Sequence, residues 1–280
     1  MIDGLDHIVM LVDDIKAGAK AYELLLGCAP AWRSQGDGSE TVLFTLDNMS
    51  LELMAPAGNS PTANRIRNVI KIWGEGLASI CFRVGDIEKT FRRLDRGALK
   101  PEPVAAVESR DLDSAGILHW KRTRVETELA RGVRMFFLEL AEERPRSAVT
   151  SAAPMLALDH VVVSTEDPER AAALYGARLD LEMALDRSHQ EVGQLMLFRC
   201  GDLIVEIVRR PVAGGDQTHD KLWGLSWRVA DIEATRARLV ASGIDVSEVR
   251  AGRKPDTRVM SVRNGACGIH TLLLERTAKG

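Results

Sequence analysis

Apolar positions in this chain fall into short runs that recur. Leu5-Asp6-His7-Ile8-Val9-Met10 opens it, and Leu158-Asp159-His160-Val161-Val162-Val163 repeats almost the same words a little over half a chain later. Each run is rich in β-branched residues and reads as a strand with a histidine at its entrance. Self-similarity at that separation marks a duplicated structural unit. After the first run, Val12-Asp13-Asp14 turns the chain. Asp14 is placed to cap a helix that carries Ala17, Ala21, Leu24 and Leu25 at helical spacing and stops at Gly27. Strands are expected at 30–34, Thr41–Leu46 and Met49–Met54, with Asp47-Asn48 as the tight turn between the last two. The unit is strand–helix–strand–strand–strand.

The same order returns three more times. A second unit starts at Ala78–Val84. Its helix begins at Gly85-Asp86, buries Ile87, Phe91 and Leu94 and closes at Gly97, and strands follow at 116–125 and 133–140. The third starts at Leu158, and Asp167-Pro168 opens its helix with a cap and a first-turn proline. Leu195–Phe198 and Leu203–Val208 then pair across Cys200-Gly201-Asp202. A polar connection, 211–220, leads to the fourth unit: Leu225–Val229, a helix from Asp231 to near Gly243, and strands at Arg258–Val262 and Ile269–Leu274. Units two and four share a phrase, Phe-Arg-Val-Gly-Asp-Ile-Glu at 82–88 against Trp-Arg-Val-Ala-Asp-Ile-Glu at 227–233. Between the halves, Glu142–Pro154 is charged and then Ser/Ala/Pro-rich, as a linker would be. The expected architecture is α+β: four βαβββ modules forming two curved mixed-sheet barrels, with domains at 1–145 and 155–280. One module cannot close its own sheet, whereas two together can enclose a cavity.

Composition narrows the function classes. The 280 residues are 45% hydrophobic and 28% charged, with a net charge of −3, which gives no whole-molecule reason for binding nucleic acid or a membrane surface. No apolar run approaches a membrane span, and the N-terminus lacks the basic and apolar regions of a secretory signal. The four cysteines, Cys28, Cys81, Cys200 and Cys267, are scattered singly, which fits reduced thiols in a cytoplasm. No phosphate-cradling glycine loop is present, Gly36-Asp37-Gly38 being too short, and no Gly-x-Ser-x-Gly turn surrounds Ser79.

The Leu-Asp-His pair at 5–7 and 158–160, Leu-Glu-Leu at 51–53, Val-Glu-Ile at 205–207 and the Val-x-Asp-Ile-Glu turns at 84–88 and 229–233 together resemble the vicinal oxygen chelate superfamily, which includes glyoxalase I, extradiol dioxygenases and bleomycin-resistance proteins. The resemblance covers essentially the whole chain, and the fourfold recurrence in order makes it specific. It implies a divalent metal (Fe, Mn, Zn or Ni) held by the first-strand histidine and last-strand glutamate of each unit, polarising vicinal oxygens of a small-molecule substrate.

Those positions are unevenly filled. Unit one offers His7 and Glu52, and unit two Ser79 and an aromatic, Phe136 or Phe137. Unit three offers His160 and Glu206, and unit four opens on Gly224. Glu206 lies five residues after the turn glycine Gly201, and His270 lies five after Gly265. By that internal alignment His160, Glu206 and His270 form a two-histidine, one-carboxylate set, as in non-haem iron enzymes, although extradiol dioxygenases take their second histidine from the start of the fourth unit, here Gly224. Singly, such histidines and glutamates often serve only as strand-end hydrogen-bonding groups. If unit one pairs with four and two with three, His270 joins His7 and Glu52 instead.

Other groups carry weaker signals. His119 reads as sheet surface, and His189 and His219 as loop residues. One of Trp223 and Trp227 is expected to wall the cavity and the other to pack under a helix. The loop Arg250–Arg258, and the basic excess of Lys121, Arg122, Arg124, Arg131 and Arg134, could hold an anionic substrate. The expected protein is a cytoplasmic, metal-dependent lyase, isomerase or dioxygenase working through the C-terminal half, the N-terminal half being structural. The alternatives are a metal-free sequestering protein of the bleomycin-resistance type and an enzyme that uses the cavity with no metal, with His160 and Glu206 as acid and base. Four modules in one chain allow a monomer or a homodimer.

Overall fold

The computed structural model describes residues 2–36, 38–189, 193–210 and 219–277. Residue 37 of the glycine-flanked tip and most of the 211–220 connection lie outside the described residues.

The four units are present, and the strands pair within each half of the chain. The first sheet runs β1 (Ile2–Leu11), β2 (Trp32–Gly36), β3 (Ser39–Thr45), β4 (Ser50–Pro56), β5 (Gly76–Val84), β6 (Ala105–Arg110), β7 (Ile117–Arg124) and β8 (Arg134–Leu140) in chain order, and its spatial order is β2-β3-β4-β1-β5-β8-β7-β6. The second runs β9 (Met155–Thr165), β10 (Met183–His189), β11 (Gly193–Cys200), β12 (Leu203–Arg209), β13 (Lys221–Val229), β14 (Arg250–Ala251), β15 (Thr257–Val262) and β16 (His270–Arg276), ordered β10-β11-β12-β9-β13-β16-β15-β14. Unit one therefore pairs with unit two, and three with four. In each sheet the two first strands are central and antiparallel, flanked by parallel last strands.

The helices open as the sequence expects. Asp14, Asp86, Asp167 and Asp231 cap α1 (Ile15–Leu26), α3 (Ile87–Arg96), α4 (Pro168–Ala172, continued by a π-helical turn) and α5 (Ile232–Ala241) by accepting from first-turn amides. Gly27 ends α1 in the left-handed region, φ 75°. An unforeseen helix, α2 (Pro61–Trp73), joins units one and two. Ser60 accepts from the Ala63 amide, and Pro61 starts the first turn.

Alternation along each strand separates two faces. Ile8, Met10, Ile80, Phe82, Met135 and Phe137 are buried in one core that also takes in Val161, Val163, Leu225, Trp227 and Leu273 from the other half. The two halves share this core and are pinned along it. Arg238 donates to the Leu25 carbonyl, Arg178 to those of Gly97 and Leu129, and Tyr22 to that of Ala266. Arg131 forms a fork with the buried Asp220 carboxylate at 2.9 and 3.0 Å. The linker is fastened too, with Cys28 bridging Val149 and the Ser147 amide donating to the Thr45 carbonyl. The opposite faces, carrying His7 and His160, look away from the shared core.

The first sheet curls almost to closure. Its edge strands meet where Trp32 Nε1 donates to Ser109 Oγ (2.9 Å) and the Leu112 amide to the Arg33 carbonyl. Helix α2 covers one side of the hollow, seating Ile66 against Val9, Leu11, Cys81 and Leu138.

Candidate functional site

A cavity of about 760 Å³ lies inside the first sheet, and all eight strands contribute to its wall. This cavity lies in the half of the chain that was expected to be structural. Its floor holds His7, Glu52, Ser79, Cys81 and Phe136.

The register sets these groups. His7 faces Ser50 on one side and Cys81 on the other, and the next inward residue, Val9, faces Glu52 and Ser79. His7 Nε2 stands 3.2 Å from Glu52 Oε2, and its Nδ1 stands 2.6 Å from Asp6 Oδ2. Asp6 is fully buried and is itself held by Arg144 at 2.7 Å and Arg83 at 3.8 Å. A carboxylate on Nδ1 fixes the ring and leaves Nε2 for chemistry.

Burial alone would strip the proton from His7. The facing Cys81 sulfur and the Asp6 and Glu52 carboxylates outweigh it, so its pKa stands well above the ordinary imidazole value. Burial pushes Asp6 and Glu52 upward, but the His7 hydrogen bonds and charge, with Arg144, bring both below the usual carboxylate range. A protonated His7 ring beside an ionised Glu52 carboxylate is a proton donor beside a proton acceptor. The Cys81 thiol is pushed up by burial, against the pull of His7.

The C-terminal half repeats the floor with differences. His160 Nδ1 lies 3.1 Å from Asp159, and Nε2 lies 3.6 Å from Glu206, longer than a hydrogen bond. Asp159 is held by Arg228 and Arg276. The structure thus brings His160 and Glu206 together but not His270. In register, Glu206, Val162, Gly224 and His270 form one row across four strands, so Glu206 and His270 are three strands apart. His270 is exposed and stacks on Trp223, with ring centroids 4.1 Å apart, while Arg210 covers the indole at 4.1 Å. Burial and Arg210 lower its pKa.

Counting from turn glycines misplaced His270. The turn before β16 holds Gly265, Cys267 and Gly268 in left-handed conformations, where the turn before β12 is only Gly201-Asp202. The extra residues make Leu272, across from Ser226, the counterpart of Glu206. His270 stands at the place Arg134 takes in the first sheet.

Asp6 and Asp159 are the residues that motif reading passed over. Their signal was present, since the aspartate belongs to the repeated Leu-Asp-His and its arginines, Arg83 and Arg228, to the repeated Arg-Val phrase. His119 is on the sheet surface beside Glu142 at 3.0 Å. His219, expected to be a solvated loop residue, meets Glu128 of the other half at 2.9 Å. Trp227 is fully buried, and Trp223 forms the stack just described. In the 250–258 loop, Arg258 is committed to Glu233 and Glu275, and Lys254 lies 3.8 Å from Asp159. That leaves the loop less cation for a ligand than the sequence suggested.

A model of the glyoxalase-like domain matches residues 5–179, and one of the glyoxalase/bleomycin resistance protein/dioxygenase superfamily matches residues 159–260. The chain belongs to the glyoxalase-like, vicinal oxygen chelate superfamily. It is 37% identical over 97 residues to an ethylmalonyl-CoA/methylmalonyl-CoA epimerase of Cereibacter sphaeroides, a stretch covering 34% of this chain and 70% of that protein. Similar solved folds include a mutant 4-hydroxymandelate synthase from Streptomyces coelicolor (TM-score 0.72, 14% identity, all of this chain and 95% of that one). The Mn(II)-bound glyoxalase from Novosphingobium aromaticivorans is another (TM-score 0.66, 10% identity, 98% and 82%). A xylose isomerase-like TIM barrel/4-hydroxyphenylpyruvate dioxygenase fusion protein also matches (TM-score 0.69, 14% identity), and this chain spans half its length. No helix among the described residues is long and apolar enough to cross a membrane.

The superfamily's metal asks for donors at four inward positions. By register these are His7, Glu52, Ser79 and Phe136 in the first sheet, and His160, Glu206, Gly224 and Leu272 in the second. Each sheet supplies two strong donors of four. Among the described residues no three His, Cys, Asp or Glu side chains converge as a metal ion would need. The donor set does not fit a closed divalent site.

Proposed function

We propose that this protein is an enzyme that moves a proton on a small oxygenated molecule bound in the N-terminal cavity, with Glu52 as the base and His7 as the acid. The observation that carries this reading is the 3.2 Å His7–Glu52 pair on the floor of the cavity inside the first sheet. With His7 protonated and Glu52 ionised, the carboxylate accepts a proton from a carbon next to a carbonyl, and the imidazolium donates to the oxygen or returns a proton to the carbon. Two groups with pKa values pushed apart divide the roles of base and acid. Arg144 and Asp6 position the ring. The epimerase similarity supports proton-transfer chemistry of this kind. The donor count supports a reaction without a metal in either half, in place of the metal set His160, Glu206 and His270.

A panel of 2-oxo and 2-substituted carboxylic acids incubated in deuterium oxide and followed by NMR tests the proposal. Exchange of the α-proton by wild type, lost in Glu52→Gln, is the expected result. Tight binding of a panel member without exchange would overturn the enzyme reading in favour of sequestration.

A further inference from the structure

The wall of the N-terminal cavity carries more positive charge than its own acids can balance. Arg65, Arg110, Arg122, Arg124, Arg134 and Arg144 line it, against Glu52, Glu102 and Glu108. Every one of those acids already has a cation: Glu52 has His7, Glu102 has Arg124, and Glu108 has Arg110. Arg144 is committed to Asp6. Arg65, Arg122 and Arg134 therefore have no carboxylate partner among the described residues.

Arg134 is half-buried, while Arg65 and Arg122 line the cavity and stay exposed to solvent. The guanidinium groups of Arg122 and Arg134 each lie 5.7 Å from the centroid of the Phe136 ring and so flank one inward-facing side chain. Arg134 sits next to Ser79 in register, and its Nε is buried without a hydrogen-bond partner. A buried donor on a cation costs free energy until something accepts from it. Burial, then repulsion from Arg124 and Arg65, lowers the Arg134 pKa, so both of those guanidiniums act on Arg134. Like charges gathered in a partly desolvated hollow destabilise the empty protein, and a bound anion offsets that cost.

We infer that Arg134, Arg122 and Arg65 form the seat of a dianionic oxyanion group, a phosphate or a paired carboxylate, carried by the substrate of the His7–Glu52 site. Three unmatched cations call for at least two negative charges, which a phosphomonoester or a dicarboxylate supplies at neutral pH. The geometry also sets where that group lies in the molecule. Glu52, Val9, Ser79 and Arg134 form one row across four strands. At ~4.8 Å per strand, the Glu52 and Arg134 backbones are at most ~14 Å apart. Both side chains reach inward, so the anionic head lies several bonds from the reacting carbon. This inference rests on the reading of that cavity as the working site, and it adds the chemical class of what enters.

The test is calorimetric titration of the full chain, at fixed ionic strength, with inorganic phosphate, malonate and acetate. Phosphate or malonate binding, with acetate silent, is expected. Affinity should fall about tenfold or more in Arg134→Gln and several-fold in Arg122→Gln, whose parent residue is exposed. Glu52→Gln should bind as wild type, which separates failure of the anion seat from failure of the proton-transfer reading. Binding of phosphate alone assigns a phosphorylated substrate, and binding of malonate alone a dicarboxylate. No heat with either, or equal affinity in Arg134→Gln, overturns the seat. Arg134→Gln should melt no lower than wild type without ligand, because it removes an unpaired buried cation.

Discussion

His7 and Glu52 meet at 3.2 Å across the parallel strands β1 and β4, one inward step apart in register. Asp6, the residue before His7, holds the far side of the ring. The whole device is written in two sequence phrases, Leu-Asp-His and Leu-Glu-Leu, and the sheet brings them together. The His7 ring should titrate well above the ordinary imidazole value of ~6.5. In Asp6→Asn or Glu52→Gln it should move down. NMR of the ring protons reads this without a substrate.

The same cluster predicts a stability optimum in pH. Asp6 and Glu52 have folded values below their unfolded ones, so their contribution is fully present above the unfolded values of ~3.9 and ~4.3 and is lost as pH falls through the folded ones. His7 has a raised folded value, so its contribution is present below ~6.5 and lost as pH rises through that folded value. Thermal melting against pH should fall away on both sides of a plateau between about 4.5 and 6.5. His7→Gln should lose the alkaline decline.

The fork between Arg131 and Asp220 ties the first half of the chain to the second. Burial raises the Asp220 pKa despite its partner, so its charge is costly without the arginine. Arg131→Ala, which strands that carboxylate, should destabilise by about 3 kcal/mol in urea unfolding. The double change to Arg131→Ala with Asp220→Asn should recover part of the loss.

Two missing donors are the reason for expecting no metal, and they can be supplied. Ser79 and Phe136 occupy the positions where the superfamily's metal would find its second histidine and glutamate. Ser79→His with Phe136→Glu should raise zinc or manganese bound after reconstitution toward one equivalent, measured by elemental mass spectrometry. Wild type should stay well below that, and His270→Ala should change nothing.

Much of the fold was legible because each unit repeats its own punctuation: an aspartate cap and alternating strands, with a glycine stop after the helix in units one, two and four. What escaped lacked that contrast. Strand β6 is an edge strand with mostly exposed positions, and α2 buries only Ala63 and Ile66, so neither shows a strong apolar face. The site was half legible. His7, Glu52, His160 and Glu206 were named from motifs, but their ranking depended on what surrounds them. The cavity, the arginines on its wall and the extra turn residues before His270 are properties of register and closure, which a linear count from Gly265 cannot see.

The most direct measurement compares His7→Asn with His160→Asn in the deuterium-exchange assay, using an acid that wild type exchanges. Loss of exchange by at least 100-fold in His7→Asn, with His160→Asn close to wild type, is the predicted result. Loss in His160→Asn with His7→Asn unaffected would place the chemistry in the other half and contradict the assignment.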